Sequence, residues 1–203
     1  MKKELFLGSK SQSRQELLKS AQIPYKIVNQ DADETVCDWD VPFAEIVKSI
    51  ASYKMEHVVL PAGQDGDGCF VLTADTMTCN TDGSINGKPV DRADAIKKIK
   101  SAKEGAVTGT AFCLERKIWR NNDWHTEQRI ERYAHGYCSF DVPSQWLEIY
   151  LAQPFIFSSA GAIFIEGFGA QFVREFSGSY TAIIGLPMFE LRESLTEIGF
   201  FDE

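Results

Sequence analysis

The residues best suited to phosphate chemistry lie in the first loop of the chain. This loop follows an apolar run at residues 5–7 and precedes a helical pattern at residues 15–21, so the sequence predicts a strand, a turn and a helix. The N-terminus of a helix presents free backbone N–H groups and the positive end of its dipole to an anion. Ser9 and Ser11 add hydroxyl groups, and Arg14 adds a guanidinium that suits phosphate.

The same loop has a simpler interpretation. Ser13 and Glu16 have the spacing of a capping box, in which each side chain satisfies a backbone N–H of the helix start. Short motifs of this kind occur often without a ligand, so the loop alone favours the capping box, and the choice depends on the rest of the chain.

A second cation follows the apolar face of a predicted helix. Asp40 and Pro42 have the residue types of a helix start, and apolar residues recur at helical spacing over residues 43–50. Lys54 continues that apolar stripe. Its ammonium either extends to the rim of the protein or points into a cleft.

A carboxylate and a third cation follow the next strand. Residues 69–74 form an apolar run that predicts a buried strand ending at Asp75, and open α/β sheets often place catalytic groups at such ends. A turn at residues 80–84 would bring Lys88 back toward Asp75. The alternatives are an ordinary turn aspartate and a solvated loop lysine.

The remaining elements are predicted from caps, turns and periodicity. Asp91 begins a helix, Ser144 precedes another, and Pro187 begins a last one that ends at Gly199. The predicted strands are a hairpin with arms at 107–119 and 128–140, followed by 162–165, 171–176 and 181–184.

The composition is that of a globular, acidic chain. Its 203 residues, 44% of them hydrophobic, suit one compact domain or two lobes that share a core. No apolar run reaches the roughly 18 residues that span a membrane, and we expect no signal peptide. A net charge of −8 disfavours DNA and RNA but permits a small anionic ligand. The five cysteines and three histidines lack metal-ligand spacing, which indicates a reduced, cytoplasmic protein.

Six separated motifs resemble the sequence pattern of the Maf family of nucleoside triphosphate pyrophosphatases. They are S-x-S-x-x-R-x-x-L-L at residues 9–18, Asp33-Glu34, A-x-x-K at 51–54, Ala74-Asp75-Thr76, Gly87-Lys88-Pro89, and a glycine-rich segment from Ala160-Gly161 to Gly185-Leu186-Pro187. Each motif is common by itself, whereas six in the same order are specific. The resemblance covers nearly the whole chain and implies a single Maf-like domain over residues 1–203.

The resemblance implies a fold and a reaction. The fold is α/β, with two lobes, an elongated mixed sheet and a central substrate cleft. The reaction splits a nucleoside triphosphate into the monophosphate and pyrophosphate with a divalent metal, Mg²⁺ or Mn²⁺, in a homodimer linked to septum formation. Asp75 and Glu34 become the catalytic and metal-binding carboxylates. The implied substrate-binding residues are Ser9, Ser11, Arg14, Lys54 and Lys88, and the implied specificity residues are Ser13, Thr76 and Glu166.

The chemistry of such a reaction assigns a role to Asp75. Attack of water on the α-phosphorus needs in-line geometry, charge neutralisation and a proton acceptor. Asp75 either activates the water or holds the metal that activates it, and the sequence leaves both roles open.

Two departures from the family pattern concern the substrate: Ser13 affects a phosphate contact, and Glu166 affects recognition of the base. Ser13 stands where many members carry the first of two arginines, and Glu166 stands where members acting on dTTP and UTP carry glutamine. A glutamine amide complements the uracil edge, whereas a carboxylate only accepts and matches the two adjacent donors of guanine. We therefore expect a guanine-type base, such as 7-methylguanine. The alternative is that Glu166 faces solvent or binds the metal.

Three other functions remain open at this stage. One is a pyrophosphatase that prefers dTTP or UTP, another is a non-catalytic nucleotide-binding regulator of cell division, and the third is an enzyme acting on another phosphorylated metabolite. A nucleic-acid polymer and a membrane are not expected as partners.

Overall fold

The computed structural model describes residues 4–202 as an α/β fold, which confirms the expected class. The strands are β1 (Leu5–Leu7), β2 (Lys26–Ile27), β3 (Asn29–Gln30), β4 (Val58–Val59), β5 (Gly68–Asn80), β6 (Ile85–Asn86), β7 (Ala106–Arg120), β8 (Asp123–Phe140) and β9 (Val173–Gly178). The helices are α1 (Gln12–Ser20), α2 (Phe43–Glu56), α3 (Arg92–Ser101), α4 (Leu147–Leu151), α5 (Tyr180–Ile184) and α6 (Met188–Glu197).

Seven strands form one mixed sheet. Their order is β2-β1-β5-β7-β8-β9, and β6 pairs with β5. Strand β1 is parallel to β2 and β5, whereas β6 and β9 are antiparallel to their partners. Strands β3 and β4 form a separate antiparallel pair. No helix within residues 4–202 has the length and apolar character needed to cross a membrane.

The chain divides into two compact units that are each built from separate segments. The first unit takes the described residues up to Asp75, then Ala111–Tyr133 and the described residues from Leu186 onward. The second unit takes Thr76–Thr110 and Ala134–Gly185. Strands β5, β7 and β8 each contribute residues to both units.

In the first unit the sheet is buried on both faces. Leu5 and Leu7 of β1 join a core cluster with Leu18 of α1 and Leu191 of α6. Phe6, between them, joins a second cluster with Met55 of α2. Successive side chains of a strand point to opposite faces, so helices α1 and α6 cover one face and α2 covers the other. This explains the continuous apolar run of β1.

In the second unit one core cluster lies under α3 and α4. Ala95 and Ile99 of α3 pack in the same cluster as Phe140 of β8 and Tyr150 of α4. Asp91 caps α3 by accepting a hydrogen bond from the backbone N–H of Asp94 at 2.8 Å, as the sequence predicts.

Two local predictions around the candidate site are wrong. Strand β5 does not end at Asp75 but continues to Asn80, because its last residues pair with β6 in a hairpin. Asp40 does not cap α2, which begins at Phe43 with Pro42 in the cap position and no side-chain cap. The backbone N–H of Asp40 instead donates to Asp38 at 2.9 Å.

The glycine-rich segment contains fewer strands than expected. Residues 181–184 belong to helix α5, which Ser179 caps by accepting from the backbone N–H of Ala182 at 3.3 Å. Residues 162–165 form no strand, whereas β9 lies close to the strand predicted at 171–176. A short apolar run does not distinguish a strand from a buried helical turn, and the serine cap decides for a helix here.

Candidate active site

The loop after β1 is closed by contacts between its serines and Arg14. Ser11 is the N-cap of α1, and its Oγ accepts from the backbone N–H of Arg14 at 3.5 Å. Ser9 Oγ accepts from the backbone N–H of Ser11 at 3.3 Å and from Nη1 of Arg14 at 2.9 Å. The capping box of Ser13 and Glu16 is therefore wrong, since Ser13 lies inside α1. The loop holds a buried guanidinium against the hydroxyl of Ser9.

Lys54 connects two carboxylates in the first unit. Its Nζ donates to Oδ1 of Asp75 at 2.6 Å and forms an ion pair with Oε1 of Glu34 at 2.8 Å. Lys54 and Asp75 are only 7% and 6% exposed, whereas the side chain of Glu34 is 44% exposed. The rim position for Lys54 is therefore wrong, and the ammonium lies inside a cluster of three charged residues.

Alternation along β5 explains why Asp75 faces this lysine. Val71, Thr73 and Asp75 are two residues apart and therefore share one face of the strand. Val71 packs in the same cluster as Met55 of α2. Helix α2 thus covers this face, and Lys54 is positioned to reach the carboxylate.

The two residues of the acidic pair have different surroundings. Asp33 caps a short 3₁₀-helix, Glu34–Val36, and its Oδ1 accepts from the backbone N–H and the hydroxyl of Thr35 at 3.1 and 2.6 Å. These hydrogen bonds lower the pKa of the Asp33 carboxyl. Asp33 therefore shapes the turn, and Glu34 is the member of the pair that reaches Lys54.

Arg14 belongs to the same electrostatic environment as the carboxylates. Burial lowers the pKa of its guanidinium from the ordinary value, while the negative charges of Asp75 and Glu34 act in the opposite direction. The charges of the first loop and of the Lys54 cluster thus influence one another.

One oxygen of Asp75 has no hydrogen-bond partner within the described part of the chain. Among the described residues nothing donates to Oδ2 of Asp75, although this atom is buried. An unsatisfied buried carboxylate oxygen is costly and needs an explanation. Residues 4–202 contain no group of three His, Cys, Asp or Glu side chains that could hold a metal ion. Asp75 Oδ2 and Glu34 remain as an incomplete carboxylate pair, which suits an ion that keeps most of its ligands from water and phosphate.

In the second unit, helix α3 holds the loop that carries Lys88. Lys98 Nζ donates to the backbone carbonyl of Lys88 at 3.1 Å and to Oδ2 of Asp94 at 2.6 Å. The same carboxylate oxygen accepts from the backbone N–H of Val90 at 3.0 Å. The bond from Lys98 is the main cause that lowers the pKa of the Asp94 carboxyl. Lys88 itself is exposed, and its approach to Asp75 stays a prediction.

Two of the three expected specificity residues, Thr76 and Glu166, lie in the second unit, as Lys88 does. Thr76 Oγ1 lies 2.9 Å from Oγ1 of Thr110 and donates to the carbonyl of Gly185 at 3.4 Å. Glu166 is half-buried just before a 3₁₀-helix, Gly167–Phe172. The pKa of the Tyr180 phenol is raised by burial and, secondarily, by the negative charge of Glu166. An exposed aromatic side chain therefore lies near the carboxylate.

The charged residues of the cluster can be identified from the sequence, but the contacts between them cannot. Substrate binding by Lys54 stays a prediction, and the structure shows this lysine paired with Asp75 and Glu34. The sequence-based interpretation also missed Thr73, whose hydroxyl bonds to α2. The signal was present, because Thr73 is the only polar residue that interrupts the apolar run of residues 69–74.

Nearly the whole chain is similar to proteins of one family. The family model described as "Maf-like protein" matches residues 4–198. A relative from Geotalea uraniireducens is 31% identical over 201 residues, which are 98% of this chain and 96% of the relative. A relative from Geobacter sp. strain M21 is 33% identical over 199 residues, covering 96% and 95%. One from Hydrogenovibrio crunogenus is 29% identical over 208 residues, covering 100% of both chains. All three are named dTTP/UTP pyrophosphatase. This chain therefore belongs to the Maf-like protein family.

Proposed function

We propose that this protein is a nucleoside triphosphate pyrophosphatase that hydrolyses dTTP and UTP to the monophosphate and pyrophosphate. The observation that carries the proposal is the buried cluster of Lys54, Asp75 and Glu34 within electrostatic reach of Arg14. A structural ion cluster would satisfy both oxygens of its buried carboxylate, and this one leaves Oδ2 of Asp75 without a donor among residues 4–202. Membership of the Maf-like family and the names of the relatives support the reaction class and the two substrates.

Each residue of the cluster has a separate task in this reaction. Asp75 accepts the proton of the attacking water through Oδ2, while Lys54 holds the carboxylate through Oδ1. Ser9, Ser11 and the N-terminus of α1 hold phosphate oxygens, and Arg14 neutralises their charge. We assign Lys88 to the leaving pyrophosphate on the basis of its motif. Positioning and charge neutralisation account for most of the catalysis in phosphoryl transfer.

A divalent cation fits the carboxylates of this site. Glu34 and Asp75 Oδ2 would hold Mg²⁺ or Mn²⁺, with substrate phosphates and water as the other ligands; this is the alternative role of Asp75, in which its Oδ2 binds the ion instead of accepting the proton directly. When bound, such an ion neutralises phosphate charge and lowers the pKa of its water. The test is thermal unfolding with increasing Mn²⁺ in the absence of nucleotide. We expect Tm to rise in the wild type and to stay unchanged in Glu34→Gln/Asp75→Asn, and an equal rise in both would place the ion elsewhere.

The reaction is tested by identifying the products formed from each nucleotide. The purified protein is incubated with dTTP, UTP, GTP or ATP and Mg²⁺ or Mn²⁺, and the products are separated by ion-exchange chromatography. Pyrophosphate and the monophosphate are expected in equal amounts, formed at least about 100-fold more slowly by Asp75→Asn. Release of orthophosphate would contradict the proposed bond cleavage. No turnover with any nucleotide, together with tight binding, would support a nucleotide-binding regulator.

A second candidate substrate class is supported by Glu166. Its carboxylate offers two acceptors, which match the adjacent N1 and N2 donors of guanine better than the edge of uracil, and unpaired polar groups discriminate strongly between ligands. The test compares kcat/KM for GTP, 7-methyl-GTP, UTP and dTTP in the wild type and in Glu166→Gln. A guanine-type preference that the glutamine reverses would support this candidate. A preference for UTP that the glutamine leaves unchanged would exclude Glu166 from base reading.

A further inference from the structure

Thr73 lies at a point where the strand and the helix of the catalytic cluster meet. It is fully buried and shares a face of β5 with Asp75, two residues later. Its Oγ1 donates to the backbone carbonyl of Ala51 at 2.7 Å. Ala51 precedes Lys54 by three residues and therefore lies on the same side of α2. One hydroxyl thus connects the strand that carries Asp75 to the helix that carries Lys54.

The methyl group of Thr73 contacts the start of the first loop. A Cβ atom added at Gly8 would lie 2.9 Å from Cγ2 of Thr73 and 3.0 Å from Cγ2 of Val58. The backbone of Gly8 therefore packs directly against this threonine, and its N–H donates to the carbonyl of Leu72 at 2.9 Å. Ser9, which accepts the guanidinium of Arg14, is the next residue. The methyl of Thr73 thus packs against the backbone that leads into this loop, a contact separate from the hydrogen bond to Ala51.

The hydroxyl of Thr73 is not needed to complete the helix. The carbonyl of Ala51 lies in the interior of α2, where the N–H of the residue four positions later already bonds to it. Valine has the same shape, an equal preference for strands and no polar group to bury. The hydroxyl therefore links α2 to β5 near Lys54 without completing a backbone hydrogen bond of the helix.

We propose that Thr73 is a positioning residue that sets the contact between Lys54 and Asp75. This inference rests on the proposed function for its effect on turnover but not for its effect on the pair itself. Without the bond to Ala51, α2 moves relative to β5, and the ammonium no longer holds Oδ1 of Asp75 in the geometry that leaves Oδ2 directed at the water. Catalysis is sensitive to such shifts, and about 1 Å of misplacement lowers rates by up to about 100-fold.

The kinetic experiment separates the hydroxyl from the methyl of Thr73. Thr73→Val keeps the methyl and removes the hydroxyl, whereas Thr73→Ser keeps the hydroxyl and removes the methyl. We expect Thr73→Val to lower kcat for UTP by about 10- to 100-fold with KM changed less than about threefold. Thr73→Ser should stay within about threefold of the wild type. Equal losses in the two variants would overturn the proposal, because they would indicate packing alone.

A matched control is available on the same strand. Thr78 is as buried as Thr73 and also forms a side-chain hydrogen bond, to Thr108 at 3.0 Å. Thr78→Val therefore removes a comparable bond without touching α2, and we expect it to leave kcat within about threefold. A loss as large as that of Thr73→Val would show that any buried hydroxyl of β5 has the same effect, which contradicts a positioning role. If Thr73→Val does not fold, the effect of the same hydroxyl is measured by comparing kcat of Thr73→Ala with kcat of Thr73→Ser.

A second measurement tests the pair independently of any nucleotide. Acetylation of Lys54 by acetic anhydride is followed by mass spectrometry, with Lys48 on the same helix as the internal reference. Lys54 should react slowly in the wild type and in Thr73→Ser, and at least about fivefold faster in Thr73→Val, as it should in Asp75→Asn. Unchanged labelling in Thr73→Val would overturn the inference even if turnover falls. Faster labelling in a protein without pyrophosphatase activity would support the positioning role and refute the proposed reaction.

Discussion

Two buried carboxylates of the first unit differ in how completely they are satisfied. Glu115 on β7 is 2% exposed, and its oxygens accept from Lys117, Thr126 and Arg129. Both of its oxygens have partners. Asp75 is similarly buried, but its Oδ1 bonds to Lys54 and its Oδ2 accepts from no described residue.

The difference separates a structural carboxylate from a reactive one. A buried carboxylate with all its hydrogen bonds made stabilises one arrangement of its neighbours and has no oxygen left for a ligand. A carboxylate that keeps one oxygen unsatisfied costs stability in the free protein, and that oxygen is available to a water proton or a metal. Burial and a nearby lysine are common to Glu115 and Asp75, so neither feature alone identifies an active site.

The largest effect is expected from a substitution of Asp75, the reactive carboxylate. Asp75→Asn should lower kcat by about 10²- to 10⁴-fold, because the amide cannot accept the proton of the attacking water. The variant should still unfold in one cooperative thermal transition, since Lys54 keeps its ion pair with Glu34. Steady-state kinetics with UTP and a thermal melt measure the two quantities. A folded variant with kcat within tenfold of the wild type would remove Asp75 from the chemistry.

Substitution of Glu115, the structural carboxylate, should have the opposite result: stability falls and turnover is kept. Glu115→Gln removes the charge that Lys117 and Arg129 face and leaves buried donors poorly paired, so stability should fall by about 2–4 kcal/mol. For a chain of this size the corresponding fall in Tm is about 5–15 °C. Turnover measured well below Tm should stay within about twofold. Loss of turnover without loss of stability would contradict the comparison.

An intermediate effect is expected for the cation beside the reactive carboxylate. Arg14→Ala should weaken binding of a triphosphate by about tenfold or more and binding of the monophosphate by much less, because charge-assisted bonds to phosphate contribute about 1.5–3 kcal/mol. Lys88→Ala should act in the same direction. Titration calorimetry with UTP and UMP measures both, using Asp75→Asn to prevent turnover and Lys19→Ala as the control. Equal changes for the two nucleotides would place Arg14 away from the phosphate tail.

The smallest effect on stability is expected for an exposed ion pair, which serves as the reference for the buried ion pairs. Arg132 and Glu197 lie 3.0 Å apart with side chains 46% and 53% exposed. Glu197→Gln should change stability by less than about 1 kcal/mol, because water and salt screen such pairs. Denaturant unfolding at low and high salt measures the change. A loss as large as that of Glu115→Gln would show that burial does not distinguish the two pairs.

Local signals predicted several element boundaries that a cap or a turn residue marks. Asp91 begins α3, Gly199 follows the last helix, and residues 80–84 form the turn after β5. The predictions failed for the cap expected from Asp40 and for the capping box of Ser13 and Glu16, and they failed where the signal was an apolar run alone. Residues 181–184 formed a helix because a serine cap and the surrounding core favoured it over a strand.

The sequence by itself determined the family, the order of the motifs and the identity of the charged residues, because six short patterns in sequence are specific even though each is common. Only the tertiary structure decided which of these charges meet. Lys54 and Asp75 are 21 residues apart on different elements, and periodicity indicates the face that a side chain occupies but not what lies opposite. The free oxygen of Asp75 and the bond from Thr73 to α2 depend on how helix and strand pack, and packing results from all the residues of the core together.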